Sequence, residues 1–201
     1  MTAPTTAKRK GKPRALLPAS HRPHRCVILA IDAGKVSGWA IWVEGVLSCA
    51  GVATTPTDRQ LAVTRAYAIA GLLERPLVVV GETWHGRMGK AKGGRIGVAV
   101  LIGMGAEFGR WREQLDMLRP GGVKSPPIVR VLSDDWQGRL LGRGTSAQLE
   151  LRSRSRAAAM AAGVAELPDD HNACDAVCIG EWGARSGEVG KVLPAAFRAA
   201  A

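Results

Sequence analysis

Short apolar runs alternate along the chain with longer stretches in which apolar residues recur every three or four positions. The first run, residues 26–31, is continuously apolar and ends at Asp32, which is typical of a strand buried on both faces. Two further runs, 38–43 and 46–53, are joined by Glu44-Gly45, an acid-glycine pair that favours a β-hairpin. The pattern therefore predicts three strands that form an antiparallel meander.

The rest of the chain predicts alternating helices and strands. A buried strand at 77–80 leads to Glu82, and a polar, Gly-rich loop at 83–95 follows it. Thr145 and Gln148 are spaced as a capping box at the start of one helix. We predict one more strand at 128–132 and helices at 58–74, 96–118, 134–141, 145–162 and 169–184. The expected fold class is α/β, a mixed five-stranded sheet flanked by helices.

The positive charge is concentrated at the start of the chain. The 201 residues carry 28 Lys and Arg against 17 Asp and Glu, a net charge of +11. Residues 1–25 hold seven of the basic residues and no acid. We therefore expect a disordered basic arm at 1–25, one domain at 26–185 and a loose tail at 186–201.

Other features of the composition exclude some classes of protein. No apolar run approaches the length of about 18 residues that a membrane-spanning helix needs, and no signal peptide is evident. The four cysteines include no CxxC pair, so we expect reduced thiols rather than disulfides or a zinc site. We expect a cytoplasmic protein with no membrane contact and no small-molecule cofactor.

The candidate chemistry lies in a few acidic residues. Asp32 and Glu82 each stand at the carboxyl end of an apolar strand, where an open α/β sheet presents its functional site. The last predicted helix adds Asp175, with His171 four residues and Asn172 three residues before it, each on the same helical face as Asp175. Oxygen-rich donors from separate elements are what hard divalent cations require.

Several motifs resemble RuvC-like Holliday junction resolvases of the ribonuclease H-like superfamily. ILAIDAG at 28–34, followed by SGWA at 37–40, resembles their first strand and hairpin. VVVGE at 78–82 is similar to their second acidic strand, and DHNACDA at 170–176 to their closing helix. VLSDDWQ at 131–137 is similar to the segment that precedes a Lys/Arg-rich helix. The resemblance covers about residues 26–184.

The resemblance implies a ribonuclease H-like fold and metal-dependent cleavage of four-way (Holliday) or other branched DNA junctions by a homodimer. Asp32, Glu82 and Asp175 would be the catalytic metal ligands, with two Mg²⁺ or Mn²⁺ ions in each site. The family has Asp or His three residues before the last Asp, where this chain has Asn172. His171 is the preferred fourth ligand, with Asp170 and Asn172 as alternatives, and His171 could instead act as a general acid or base.

Basic and aromatic residues near these acids are candidates for DNA contacts. The resemblance implies that the loop after Glu82 flanks the site. It also implies that an aromatic side chain in this loop stacks on a base at the junction centre. Packing beneath the loop is an alternative role for Trp84, and Trp136 is expected in the core. The candidate DNA-binding residues are Trp84, His85, Arg87, Lys90, Lys92, Arg95, Arg152, Arg154 and Arg156.

Two other classes compete with the nuclease hypothesis. The Asp-x-Gly motif also resembles the first phosphate loop of actin-like ATPases, but those proteins need a duplicated domain, for which 201 residues are too few. A non-catalytic junction-binding relative would keep the fold and the basic arm. Asn172, in place of an acid or a histidine, keeps that alternative open, whereas Asp32, Glu82 and Asp175 argue against it. The long helix after residue 96 contains glycines that would suit a dimer contact, although a plain core helix is the alternative.

Overall fold

The computed structural model describes residues 23–83 and 98–198, and side chains from residue 103 onward in the second segment. These residues form a five-stranded sheet with helices on both faces. The strands are β1 (Val27–Asp32), β2 (Ser37–Val43), β3 (Val46–Ala53), β4 (Leu77–Glu82) and β5 (Ile128–Val131). The helices are α1 (Pro56–Leu72), α2 (Val98–Met117), α3 (Ser133–Leu140), α4 (Ser146–Ala161), α5 (His171–Arg185) and α6 (Gly187–Val192).

The sheet has the strand order β3-β2-β1-β4-β5. Strand β1 pairs antiparallel with β2 and parallel with β4, and β4 pairs parallel with β5. The predicted meander and mixed five-stranded sheet are therefore confirmed. Glu44 and Gly45 both have positive φ, at 48° and 85°, which closes the β2–β3 hairpin as the acid-glycine pair predicted. Because β1 and β4 are parallel neighbours, their carboxyl ends lie at the same edge of the sheet.

Both faces of the sheet are covered, which explains why β1 and β4 are continuously apolar. On one face, Ile28 and Ala30 pack against α5, which contributes Val177 and Ile179. On the other face, side chains including Leu29 pack against α1 and α2. Two hydrophobic layers thus fix the position of α5, the helix that carries Asp175, over the centre of the sheet.

Helix α5 approaches the sheet closely at its first turn. Gly38 in β2 faces the backbone of Asn172 and Ala173, and a Cβ atom on Gly38 would overlap the Asn172 carbonyl group. Gly38 is also the register partner of Asp32 in β1. The missing side chain therefore allows the start of α5 to lie directly beside the strand end that carries Asp32.

Most helix boundaries agree with the predicted ones to within two residues, and the differences have local causes. Helix α1 begins at Pro56 rather than at Asp58, because Thr55 is its N-cap and Asp58 completes a capping box. Helix α4 has the predicted Thr145 and Gln148 box. Helix α5 begins at His171 rather than at residue 169, because Asp170 is its N-cap.

The segment after Ser186 differs from the expected loose tail. It forms α6 and a short 3-10 helix, Ala195–Phe197, and Val189 and Leu193 are buried in the core. At the other end, the Arg25 amide donates to the Phe197 carbonyl at 2.9 Å. The boundary drawn at residue 185 therefore leaves out a segment that completes the core, and residues 1–22 of the expected arm lie outside the described part of the chain.

Helix α2 packs Phe108, Trp111 and Leu115 into the core, as the apolar spacing predicted. Its glycines 103, 105 and 109 face open space in the described part of the chain. Within residues 23–83 and 98–198, no helix has both the length and the apolar character that a membrane span requires.

Candidate functional site

Three acidic side chains meet at the carboxyl edge of the sheet. Asp32 is the last residue of β1, Glu82 is the last residue of β4, and Asp175 lies one turn into α5. The charges of Glu82 and Asp175 both contribute to raising the pKa of Asp32. The structure therefore brings together the three acids that the sequence singled out.

Two side chains from α3 hold Glu82. Ser133 donates a hydrogen bond to Glu82 Oε1, and the Trp136 indole Nε1 donates to Oε2 at 3.1 Å. Burial raises the pKa of Glu82 to about 7, with a further upward contribution from the Asp175 charge, while the Trp136 hydrogen bond lowers it. Trp136 is fully buried, as expected, but it also fixes the orientation of an acidic side chain.

A serine from α4 holds Asp175. Ser153 is almost fully buried and donates a hydrogen bond to Asp175 Oδ1. Burial raises the pKa of Asp175, and the Ser153 hydrogen bond and the nearby His171 oppose that rise. Each of Glu82 and Asp175 is thus oriented by a neighbouring helix, as is common for carboxylates that bind metal ions.

The start of α5 carries the candidates for a fourth ligand. Asp170 Oδ1 caps the helix by accepting from the backbone amides of Asn172 and Ala173, and it also accepts from the Asn172 side-chain amide at 3.0 Å. Asn172 Oδ1 would lie 3.9 Å from a Cβ atom on Gly34, in the loop that follows Asp32. Asn172 is therefore turned toward that loop.

His171 is the residue that the sequence favours as the fourth ligand. It is the exposed first residue of α5, and its charge acts on Asp175. Asp170, in contrast, contributes to the raised pKa of Asp32. The role of His171 as the fourth ligand stays a prediction, and Asp170 with Asn172 is the pair that the structure places beside Asp32.

Among the described residues, the positive charges that act on this edge are those of His171 and Arg154, which lower the pKa of Asp175. Asp32, Glu82 and Asp175 form no ion pair in the segments 23–83 and 98–198. Burial is the largest cause of the pKa of Asp32 lying well above its ordinary value, and the neighbouring carboxylates add to it. Partly buried acids that form no ion pair are expensive to ionise, and a divalent cation would remove that cost.

The side chains at this edge offer the kinds of donor atom that a divalent metal prefers, but they are not arranged around a common position. The donors are carboxylate oxygens, with an amide oxygen nearby, which suits Mg²⁺ or Mn²⁺. Among the described residues, however, no three His, Cys, Asp and Glu side chains are arranged so that they could hold an ion.

The candidate DNA-binding arginines of α4 all have partners within the protein. Arg152 donates to the carbonyl groups of Leu141 and Arg143, at 2.9 and 3.0 Å. Arg154 lies between Glu150 and Asp169, and Arg156 pairs with the buried Glu181. Their contacts with DNA stay predictions. The other candidates, Trp84, His85, Arg87, Lys90, Lys92 and Arg95, lie outside the described residues.

Sequence reasoning missed the two serines. Ser133 follows the end of β5 almost directly, so the edge rule that selected Asp32 and Glu82 could also have selected it. Ser153 gives no comparable signal, because it stands among arginines in a helix with many polar residues. The four cysteines are free, as expected, and Cys174 and Cys178 are buried fillers in α5.

The chain matches no protein-family model and no curated protein.

The raised pKa of Glu82 predicts how stability depends on pH. Between about pH 4.5 and 7 the folded protein holds a proton on Glu82 that the unfolded chain releases. The contribution of Glu82 to the free energy of unfolding should therefore be largest below about pH 4.5. It should fall by up to about 3 kcal/mol as the pH rises through 7. Urea denaturation in EDTA at several pH values measures this fall.

The matched variant for this measurement is Glu82→Gln, which keeps the shape of the side chain and removes its charge. Its free energy of unfolding should decline less between pH 5 and 8 than that of the parent. Equal declines in the two proteins would show that Glu82 ionises at its ordinary pKa.

Proposed function

We propose that this protein is a metal-dependent, structure-selective endonuclease that cuts four-way (Holliday) or branched DNA junctions, with a RuvC-like, ribonuclease H-like fold. The observation that carries the proposal is that Asp32, Glu82 and Asp175 lie at one sheet edge and form no ion pair with the described residues. The mixed sheet, with an antiparallel β1–β3 meander followed by parallel β4 and β5, agrees with the fold that the resemblance implies.

The residues of the chain have separate tasks in the proposed reaction. Asp32, Glu82 and Asp175 would hold Mg²⁺ or Mn²⁺, two ions in each site, with Asp170, His171 or Asn172 as a further donor. Bound divalent metal supplies an activated water and stabilises the leaving oxygen in phosphodiester hydrolysis. Ser133 and Trp136 keep Glu82 oriented toward the site edge, and Ser153 does the same for Asp175.

The proposed cleavage depends on pH, because the carboxyl groups must lose their protons. The carboxylates bind a cation only when they are ionised, and burial favours their protonated forms. Cleavage is therefore expected to rise with pH through about 7, the pKa of Glu82.

The positive charge of the chain attracts DNA, which the acidic edge by itself would repel. The net charge is +11, and seven of the basic residues lie in 1–25. A homodimer would place two such sites on one junction.

A labelled synthetic four-way junction and a linear duplex of the same sequence test this proposal. With Mg²⁺ or Mn²⁺, the protein should nick the junction near its centre and leave the duplex intact, and EDTA should stop the reaction. Equal cutting of both substrates would contradict junction selectivity, and no metal-dependent nicking at all would contradict nuclease activity.

One observation favours a second function, that of a junction-binding protein with little or no catalysis. No three His, Cys, Asp and Glu side chains in the described segments are arranged to hold an ion, and Asn172 stands where the family has an acid or a histidine. In that case the junction should bind tightly in the presence of Mg²⁺ or Mn²⁺ and remain uncut.

A further inference from the structure

An open groove lies between α3 and the loop that leads into α4. One wall is a face of α3 that includes Gln137 and Gly138, and the opposite wall includes Gly142, Arg143 and Gly144. Three of these five residues are glycines, so much of the lining is bare backbone. A polymer with a regular backbone could therefore approach the protein closely along this groove.

The groove begins beside the acidic edge. Asp134, at its α3 end, directly follows Ser133, which holds Glu82. Leu149, on the α4 side, lies one helical turn before Ser153, which holds Asp175. The two helices that orient the acids are thus the helices that border the groove.

The loop that forms one wall is held in place by Arg152. Its Nη1 donates to the carbonyl groups of Leu141 and Arg143, and Gly142 has a φ of 79°, which favours glycine. Arg143 itself is exposed, and its guanidinium forms no hydrogen bond or ion pair with another described residue. Arg152 therefore shapes the wall, while Arg143 has a charged group available for a ligand.

We propose that this groove binds the sugar-phosphate backbone of a DNA strand that leads to the acidic edge, with Arg143 contacting a phosphate. The inference rests on the proposed function and adds to it the path of the substrate. A guanidinium group pairs well with phosphate oxygens, and backbone contacts of this kind position a strand without reading its sequence. Asp134, at the end of the groove beside the acidic edge, opposes binding of phosphate by its charge.

Gly138 offers a way to close the groove without disturbing the fold. A Cβ atom at this position would meet no atom within 4 Å, so a larger side chain has room. Gly138→Glu should fill the groove and repel phosphate. Gly71→Glu is the charge-matched control, because Gly71 also has open space and lies near the end of α1, at the opposite edge of the sheet.

The measurement is binding of a fluorescent four-way junction to the full chain in EDTA, followed by anisotropy over a range of salt concentrations. Gly138→Glu should weaken binding roughly tenfold relative to Gly71→Glu. Arg143→Ala should lower the salt dependence of binding by about one unit of slope, and Asp134→Asn should strengthen binding. Arg143→Ala removes an exposed side chain, so it tests the groove even if Gly138→Glu does not fold.

The outcomes separate this inference from the proposed function. If the parent cuts junctions, and Gly138→Glu and Arg143→Ala bind as tightly as Gly71→Glu, the groove is not the path of the strand and the nuclease proposal stands. If the parent binds no junction and cuts none, the proposed function fails, and the inference fails with it.

Discussion

Asp32→Asn is expected to lower metal-dependent junction cleavage by more than about 100-fold while junction binding in EDTA stays the same or becomes tighter. Loss of a residue that merely orients a metal ligand costs about 10-fold to 100-fold in activity, and Asp32 is proposed as a ligand itself. The charge that is lost also repels phosphate, so binding has no reason to weaken. Single-turnover cleavage and anisotropy on the same junction measure the two effects.

Asp169→Asn is the matched control, since it removes an acid just before α5 whose side chain is almost fully exposed. It should cut at close to the parental rate. If Asp32→Asn also cuts at the parental rate, the carboxyl edge of the sheet is not the active site.

The same substitution should change stability in the opposite direction to activity. The carboxylate of Asp32 is costly when ionised, because it is partly buried and the charges of Glu82 and Asp175 act on it. Asp32→Asn should therefore raise the urea midpoint of the metal-free protein at pH 8, and Mg²⁺ should stabilise the parent more than the variant. A fall in the midpoint in EDTA would show that Asp32 is held by contacts that an asparagine cannot make.

The meeting of Asp32 and Glu82 could be predicted from the sequence, because it depends only on strand ends. Continuous apolar runs define β1 and β4, each run stops at an acid, and parallel neighbours bring those acids to one edge. The capping boxes of α1 and α4 could be located for a similar reason, since the residues involved are three apart in the chain.

Features that depend on contacts between distant segments could not be predicted. Ser133 and Glu82 are separated by 51 residues, and Ser153 and Asp175 by 22, so no local pattern joins them. On sequence grounds Asp170 could be a metal ligand or a helix cap; the structure shows it as the N-cap of α5, and its role as a ligand stays a prediction. Helix α6 was missed because it is short and gains its stability from Val189 and Leu193 in the core.

Arg156 shows why a run of arginines in the sequence does not always indicate a basic surface. Its side chain turns inward to Glu181, whose side chain is only 1% exposed and also pairs with Arg185 at 3.0 Å. In the sequence, Glu181 looks like an ordinary charge in a helix, and Arg156 looks like part of a basic surface. The packing of α4 on α5 turns the two into a partly buried ion pair.

Gly38→Ala is expected to impair both folding and cleavage, although it adds a single methyl group. The added Cβ would overlap the Asn172 carbonyl group and lie 2.8 Å from the Ala173 amide nitrogen. Both are backbone atoms at the start of α5, so no side-chain rotation can relieve the contact. Either α5 must shift away from the sheet or β2 must bend, at a cost of about 3 kcal/mol.

Cleavage should fall together with stability, because the two elements that would separate carry the site. Gly38 is the register partner of Asp32, and α5 carries Asp175. Urea denaturation and junction cleavage should therefore both change in Gly38→Ala. Gly109→Ala in α2 is the control, since its Cβ has open space and should stabilise the helix by about 0.5–1 kcal/mol. A Gly38→Ala protein with the parental urea midpoint and cleavage rate would show that the close approach of α5 to β2 is not needed for the site.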